Sequence, residues 1–182
     1  MGFILSKLWN RLRGGREYKI ILVGLANAGK TTILYKLQLG EVISTNPTIG
    51  SNVEEVKHGN VQMQVWDLGG QESLRASWAT YFASANGVIF VVDSSETTNT
   101  LLAKMELFNI LVHPDLRHAP VLILANKQDL PSALPEAEIS ENLNLISLKE
   151  HEWRLQLCSA LTGEGLIEGL DWLTDKLANL GS

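Results

Sequence analysis

The segment that most restricts the fold of this chain is Gly24-Leu25-Ala26-Asn27-Ala28-Gly29-Lys30-Thr31. It sits between the apolar run Tyr18 to Val23 and the helix-period stretch Thr31 to Leu39. Glycines and small residues let such a turn point its backbone N–H groups inward, and the helix that follows adds the positive end of its dipole. The string fits G-x-x-x-x-G-K-[ST] in the strand–turn–helix context that the pattern requires. It predicts a phosphate cradle from Gly24 through Thr32, in which Lys30 serves the β and γ phosphates and the Thr31 hydroxyl ligates Mg²⁺.

Short apolar runs alternate with helix-period segments from Tyr18 onward, the pattern of an α/β fold around a mostly parallel sheet. Tyr18 to Val23, Val88 to Asp93 and Val121 to Asn126 read as strands covered on both faces, and Trp153 to Leu157 as the last strand. Two sets of apolar residues recur at steps of three and four and are expected to pack in the core. They are Leu101, Met105, Phe108 and Val112, and Leu166, Leu170, Leu173 and Leu177. One pair of segments breaks the parallel rhythm. Asn52 to Lys57 and Val61 to Asp67 flank His58-Gly59-Asn60, a turn short enough only for an antiparallel hairpin.

A phosphate cradle does not name a base, but Asn126-Lys127-Gln128-Asp129 does. The Asp129 carboxylate accepts from the two N–H donors on one edge of guanine, whereas adenine would leave it unpaired at a cost of about 1 to 3 kcal/mol. Cys158-Ser159-Ala160 follows the last strand, where backbone N–H groups can meet the guanine O6, and Cys158 also suits a small buried hydrophobe. Trp66-Asp67-Leu68-Gly69-Gly70-Gln71 ends the hairpin. Asp67 is placed to hold Mg²⁺ through a water, Gly70 to offer a backbone N–H to a γ-phosphate, and Gln71 to orient the attacking water as the catalytic residue. In Pro47-Thr48-Ile49-Gly50 the Thr48 hydroxyl is expected to complete the Mg²⁺ shell when a γ-phosphate is present. The loops 41–51 and 68–80 then sense the third phosphate of GTP.

The 182 residues are 45% apolar and carry a net charge of −5, the size and composition of one domain. The charge is split. Lys7, Arg11, Arg13, Arg16 and Lys19 against Glu17 give residues 1–19 a charge of +4, and the remainder carries −9. An acidic body argues against nucleic acid as a partner, and a basic arm points to an anionic membrane surface. Met1-Gly2-Phe3-Ile4-Leu5-Ser6 fits the pattern for N-myristoylation at Gly2. Leu5, Leu8, Trp9 and Leu12 follow on one side of an amphipathic helix, with Lys7 and Arg11 opposite. The chain therefore divides into an arm, 1–16, and a GTP-binding body, 17–180. No apolar run approaches the length of a spanning helix, and the single cysteine fits a reducing, cytoplasmic compartment with reversible membrane attachment.

Taken in order, GLANAGKTT, PTIGSNVEE, WDLGGQESLR, NKQDL and CSALTGEGL resemble the ADP-ribosylation factor and Arf-like branch of small GTPases over the whole chain. TIGSNVEE and GQESLRASW are similar to the fifth Arf-like subgroup. The resemblance implies a P-loop small G domain, with a six-stranded, mostly parallel sheet, one antiparallel hairpin strand, helices on both faces and an N-terminal amphipathic helix. It implies GTP/GDP and Mg²⁺ as ligands, and a guanine-nucleotide exchange factor, a GTPase-activating protein and GTP-state effectors as partners. It also implies a role in vesicle and protein transport at the Golgi. In the branch the hairpin slides by two residues when GTP replaces GDP and ejects the N-terminal helix. Two residues depart from the branch. Ser51 stands where an aromatic residue usually joins Trp66 and Tyr81 in an effector-binding triad, and Ala26 stands where the phosphate loop usually carries an acidic residue. Ala26 leaves open a slowly or non-hydrolysing GTP-binding module that acts as a membrane-associated scaffold. A P-loop kinase is disfavoured by the guanine selectivity of Asp129 and by Gln71.

Overall fold

The computed structural model describes residues 17–180. Glu17–Gly24 forms β1, and its alternation sets the layering: Ile20 and Leu22 point into one apolar layer, Ile21 and Val23 into the other, all essentially without solvent contact. A strand buried on both faces needs helices above and below it. The chain supplies them as α1 (Lys30–Leu39), α2 (Glu72–Arg75), α3 (Thr100–Leu111), α4 (Glu136–Asn142) and α5 (Leu166–Asn179). The remaining strands are β2 (Ser51–His58), β3 (Val61–Leu68), β4 (Gly87–Asp93), β5 (Val121–Asn126) and β6 (Trp153–Leu157). The amphipathic arm expected in 1–16, with Gly2, lies outside the described residues.

The six strands run in the order β2-β3-β1-β4-β5-β6. Among the described residues, β2 and β3 form the antiparallel pair and all other pairs are parallel. His58 pairs with Val61, so the hairpin turns on Gly59-Asn60 alone, with Gly59 at φ 56. The expected α/β sheet with one hairpin inserted is therefore what the chain forms. β2 is an edge strand whose one fully buried residue is Val56, which accounts for its poor apolar alternation.

α1 and α5 cover one face, with Ile33, Leu34, Leu170, Leu173 and Leu177 against Met63, Val65 and Leu122. The leucines of α5 are buried as their spacing predicts, each at about 1.5 to 3 kcal/mol of transfer free energy. For α3 the expected stripe is the wrong one. Leu101, Met105 and Val112 are 67%, 53% and 80% exposed, and Phe108 packs only at the core margin. The buried residues are Ala103, Leu107, Ile110 and Leu111. Both stripes recur at helical steps, so periodicity alone cannot select the inner one; Ala103 lets the helix approach the sheet closely, and that side wins.

β1 lies between β3 and β4, the point where the chain order around the sheet reverses. The C-terminal ends of β1, β3, β4 and β5 open there onto one crevice, the usual position of ligands in open α/β sheets. Gly24, Asp67, Asp93 and Asn126 stand at or next to those ends.

Candidate functional site

The turn from Gly24 to Lys30 is shaped by three residues of positive φ, Gly24 at 146, Asn27 at 63 and Gly29 at 93. A Cβ on Gly29 would lie 2.4 Å from Asn126 Nδ2, so glycine is required by conformation and by space. Asn126 fastens the turn from outside. Its Nδ2 donates to Ala28 O at 2.9 Å, and its Oδ1 accepts the Ala160 N–H at 2.9 Å. One side-chain amide thereby ties the phosphate turn to the end of β5 and to the loop after β6.

Lys30 begins α1, is 6% exposed, and donates to Gly24 O at 2.9 Å and Leu25 O at 3.0 Å. Burial pushes its ammonium down to about 8, against the pull of the Asp67 charge. A buried cation with carbonyl partners and one distant carboxylate is a site prepared for an anion.

Next to it, Thr31 Oγ1 donates to Asp67 Oδ2 at 2.5 Å, and Thr48 Oγ1 donates to the same oxygen at 3.2 Å. The two hydroxyl oxygens are 2.9 Å apart. Asp67 is completely buried. Burial raises its carboxyl above the ordinary range, opposed by the Thr31 bond, the Lys30 charge and the Thr48 bond. Its Oδ1 is buried without a hydrogen-bond partner. An orphaned carboxylate oxygen beside two hydroxyls is a set of hard oxygen donors, and Mg²⁺ fits it.

Gly70 backs onto the phosphate turn. Its carbonyl accepts the Ala26 N–H at 3.1 Å, and a Cβ on Gly70 would lie 2.5 Å from Gly24 O and from Leu25 C. Gly69 N–H donates to Gly50 O at 2.9 Å, which joins the two loops expected to sense the third phosphate. The second of these is not irregular throughout: it contains α2 and a 3₁₀ turn over Trp78–Tyr81. Gln71 immediately precedes α2, is exposed, and stands at the rim of a cleft of about 410 Å³ shared with Asn27, Lys30, Thr32, Thr48 and Lys127.

On the base side, Asp129 is exposed, and its Oδ1 accepts from Ser159 Oγ at 2.5 Å. The N–H groups of Cys158, Ser159 and Ala160 each have a protein acceptor, in Ala125 O, Glu164 O and Asn126 Oδ1. In this geometry the segment meets Asp129 through the Ser159 hydroxyl. Cys158 is buried, and burial pushes its thiol up to about 12, so it is a packed hydrophobe.

Trp66 and Tyr81 form an aromatic pair at 5.8 Å with Lys19 Nζ 4.9 Å from the Trp66 ring, while Ser51 is exposed opposite Leu68. Sequence reasoning missed two residues. The buried Trp78 indole donates to Gly69 O at 2.9 Å, and nothing in its spacing marks it. Asp93 bonds Lys127, and its signal was an acid closing an otherwise apolar strand.

The order of strand ends around β1, with the Asp67 and Asp129 carboxylates on opposite sides of one phosphate turn, defines a small GTPase. Such a protein binds GTP and GDP with Mg²⁺ and hydrolyses GTP. Residues 3–177 match the ADP-ribosylation factor family, and the chain belongs to it. It is 51% identical over 177 residues to ADP-ribosylation factor-like protein 5A of Homo sapiens, covering 97% of this chain and 98% of that protein. Identity is also 51% over 177 residues to ADP-ribosylation factor 3 of Arabidopsis thaliana, covering 97% of each. The Arl6 BBS3 small GTPase from Trypanosoma brucei with the nucleotide analogue GppNp superposes with a TM-score of 0.84 at 34% identity, covering 90% of this chain and 99% of that one.

Proposed function

We propose that this GTPase is a membrane-recruited switch in vesicle or Golgi trafficking, with an anchor in 1–16 and the nucleotide domain in 17–180. The observation that carries the switch is the meeting of Thr48 with Thr31 at Asp67. Residues 41–50 contain no regular element, so Thr48 is tied to this point by its bonds to Asp67 and Thr31 rather than by a helix or strand.

In this reading Gly24 through Thr32 cradle the phosphates, with Lys30 as the cation. Thr31 and Thr48 would hold Mg²⁺ directly and Asp67 through a water, and the ion would supply positive charge against the phosphates. The Gly70 N–H turns to the γ-phosphate. Gln71 orients a water whose oxygen attacks the γ-phosphorus as the bond to the β–γ bridging oxygen breaks, leaving GDP and inorganic phosphate. Asn126, Lys127 and Asp129, with Cys158 to Ala160, enclose the base. Residues 41–51 contain no arginine, so hydrolysis is slow until an activating protein supplies one, a contribution of about 10³ to 10⁵ in rate.

The hairpin couples the nucleotide to the arm. Ile20 stands opposite Val65, and a two-residue slip of about 6.6 Å keeps the buried Met63 and Val65 on the same face, whereas a one-residue slip inverts every side chain. One myristoyl chain on Gly2 binds membrane only marginally, so release of Leu5, Leu8, Trp9 and Leu12 supplies the second contribution. Ser51 gives the surface beside Trp66 and Tyr81 a different shape from the usual aromatic triad, which selects GTP-state effectors of its own. The fifth-subgroup reading rests on TIGSNVEE and GQESLRASW, since the identity is the same 51% to Arf-like protein 5A and to ADP-ribosylation factor 3. The test is flotation of the myristoylated full chain with liposomes: more protein floats with a non-hydrolysable GTP analogue than with GDP, and equal flotation rejects the coupling.

A further inference from the structure

We propose that Asp93 is a positioning residue for the nucleotide site, pinning the Lys127 side chain before nucleotide arrives and thereby setting how fast nucleotide leaves. The proposal rests on the assignment of Lys127 to that site. β4 ends at Asp93 and β5 at Asn126, and these two residues are register partners, so Lys127 is the first residue beyond the sheet beside Asp93. Its backbone is left-handed, at φ 70, a conformation uncommon outside glycine. From there its Nζ reaches Asp93 Oδ2 at 2.5 Å.

The two residues open on different spaces. Lys127 lines the nucleotide cleft, whereas Asp93 lines a smaller hollow of about 100 Å³ that it shares with Leu25 to Ala28 of the phosphate turn. The ammonium is thus engaged by a carboxylate that does not line the cleft. Asp93 is itself fixed: its Oδ1 accepts the Ser95 N–H at 2.9 Å and the Ser95 hydroxyl at 2.6 Å, which leaves Oδ2 to the lysine. The pair is largely shielded, with 18% of the aspartate and 31% of the lysine side chain exposed. Burial alone would raise the Asp93 carboxyl, but the bonds from Lys127 and Ser95 outweigh it and hold the group below its ordinary value.

A free lysine stem has four rotatable bonds, and ordering it on binding opposes affinity. Holding it in place in the free protein removes that opposition. Asp93 therefore acts through Lys127.

The experiment is stopped-flow release of N-methylanthraniloyl-GDP from the full chain, in wild type, Asp93→Asn, Lys127→Met and the double variant. Each single variant is expected to release about tenfold faster, a factor equal to about 1.4 kcal/mol, and the double variant no faster than Lys127→Met. Wild-type release from Asp93→Asn beside fast release from Lys127→Met overturns the proposal and leaves the site assignment standing. A double variant in which the two factors multiply makes Asp93 merely structural, and also overturns it. Unchanged release from Lys127→Met overturns the site assignment and the proposal together. Should Asp93→Asn not fold, Ser95→Ala replaces it, removing one donor from the carboxylate. A few-fold acceleration that disappears in the Lys127→Met background supports the proposal, and unchanged release overturns it.

Discussion

Thr48 Oγ1 lies 2.9 Å from Thr31 Oγ1, and both hydroxyls share one oxygen of Asp67. Thr31 is fixed in α1 and Asp67 in β3, whereas Thr48 belongs to a segment without regular structure. Two of the three oxygens of the proposed metal site thus sit on regular elements and the third on an irregular segment.

Removing a rigid donor should weaken every metal-bound state. Thr31→Asn replaces the hydroxyl with a larger amide that cannot occupy the same position between Asp67 and Thr48. Mg²⁺-dependent retention of GTP is expected to fall by at least about tenfold, the equivalent of one lost charge-assisted contact. Nucleotide release with and without chelation of Mg²⁺ measures it: the variant should release rapidly in both conditions, the wild type only after chelation.

Gln71 stands exposed at the cleft rim, where a side chain can reach water without displacing the fold. Gln71→Leu should leave nucleotide affinity near wild type and slow single-turnover hydrolysis by about 10²-fold, the order expected for losing a group that positions the nucleophile. Hydrolysis at the wild-type rate would remove Gln71 from the reaction.

Nucleotide affinity should depend on pH through Lys30. In the free protein burial holds its ammonium near 8, below its ordinary 10.5, and bound phosphate, an anion, raises it again. The bound state therefore carries more protons in the window above about pH 8. Affinity is full below that pH and falls as pH rises through it, by up to about tenfold per unit for one proton. Calorimetry at pH 8.5 in two buffers of different ionisation enthalpy should show proton uptake on binding.

The exposed stripe of α3 gives a stability test. Leu107 is fully buried and Met105 is 53% exposed. Leu107→Ala should cost about 2 to 5 kcal/mol, whereas Met105→Ala should change stability by no more than about 0.5 kcal/mol. Chemical denaturation of the GDP-loaded protein separates the two.

Much of this was legible in the residues, for reasons that differ by element. β1, β4 and β5 are apolar on both faces, so their existence and parallel arrangement follow from composition alone. The phosphate turn is legible because its chemistry needs glycine where no Cβ fits, as Gly24 and Gly29 both demonstrate. The inner face of α3 was not legible, since Leu101, Met105 and Val112 repeat at the same steps as Leu107 and Leu111. The Asp93 to Lys127 contact was hidden for another reason: it joins residues 34 apart that become neighbours only through the register of β4 and β5. Asn126 was assigned to the nucleotide from its motif, but its role in fastening Ala28 and Ala160 needed the loops to be placed in space.

Thr48 is expected to report the third phosphate. Dissociation constants for GDP and for a non-hydrolysable GTP analogue, each with saturating Mg²⁺, are measured for the wild type and for Thr48→Ala. Analogue binding is expected to weaken by about tenfold with GDP binding unchanged. Equal weakening of both ligands, or of neither, would contradict it.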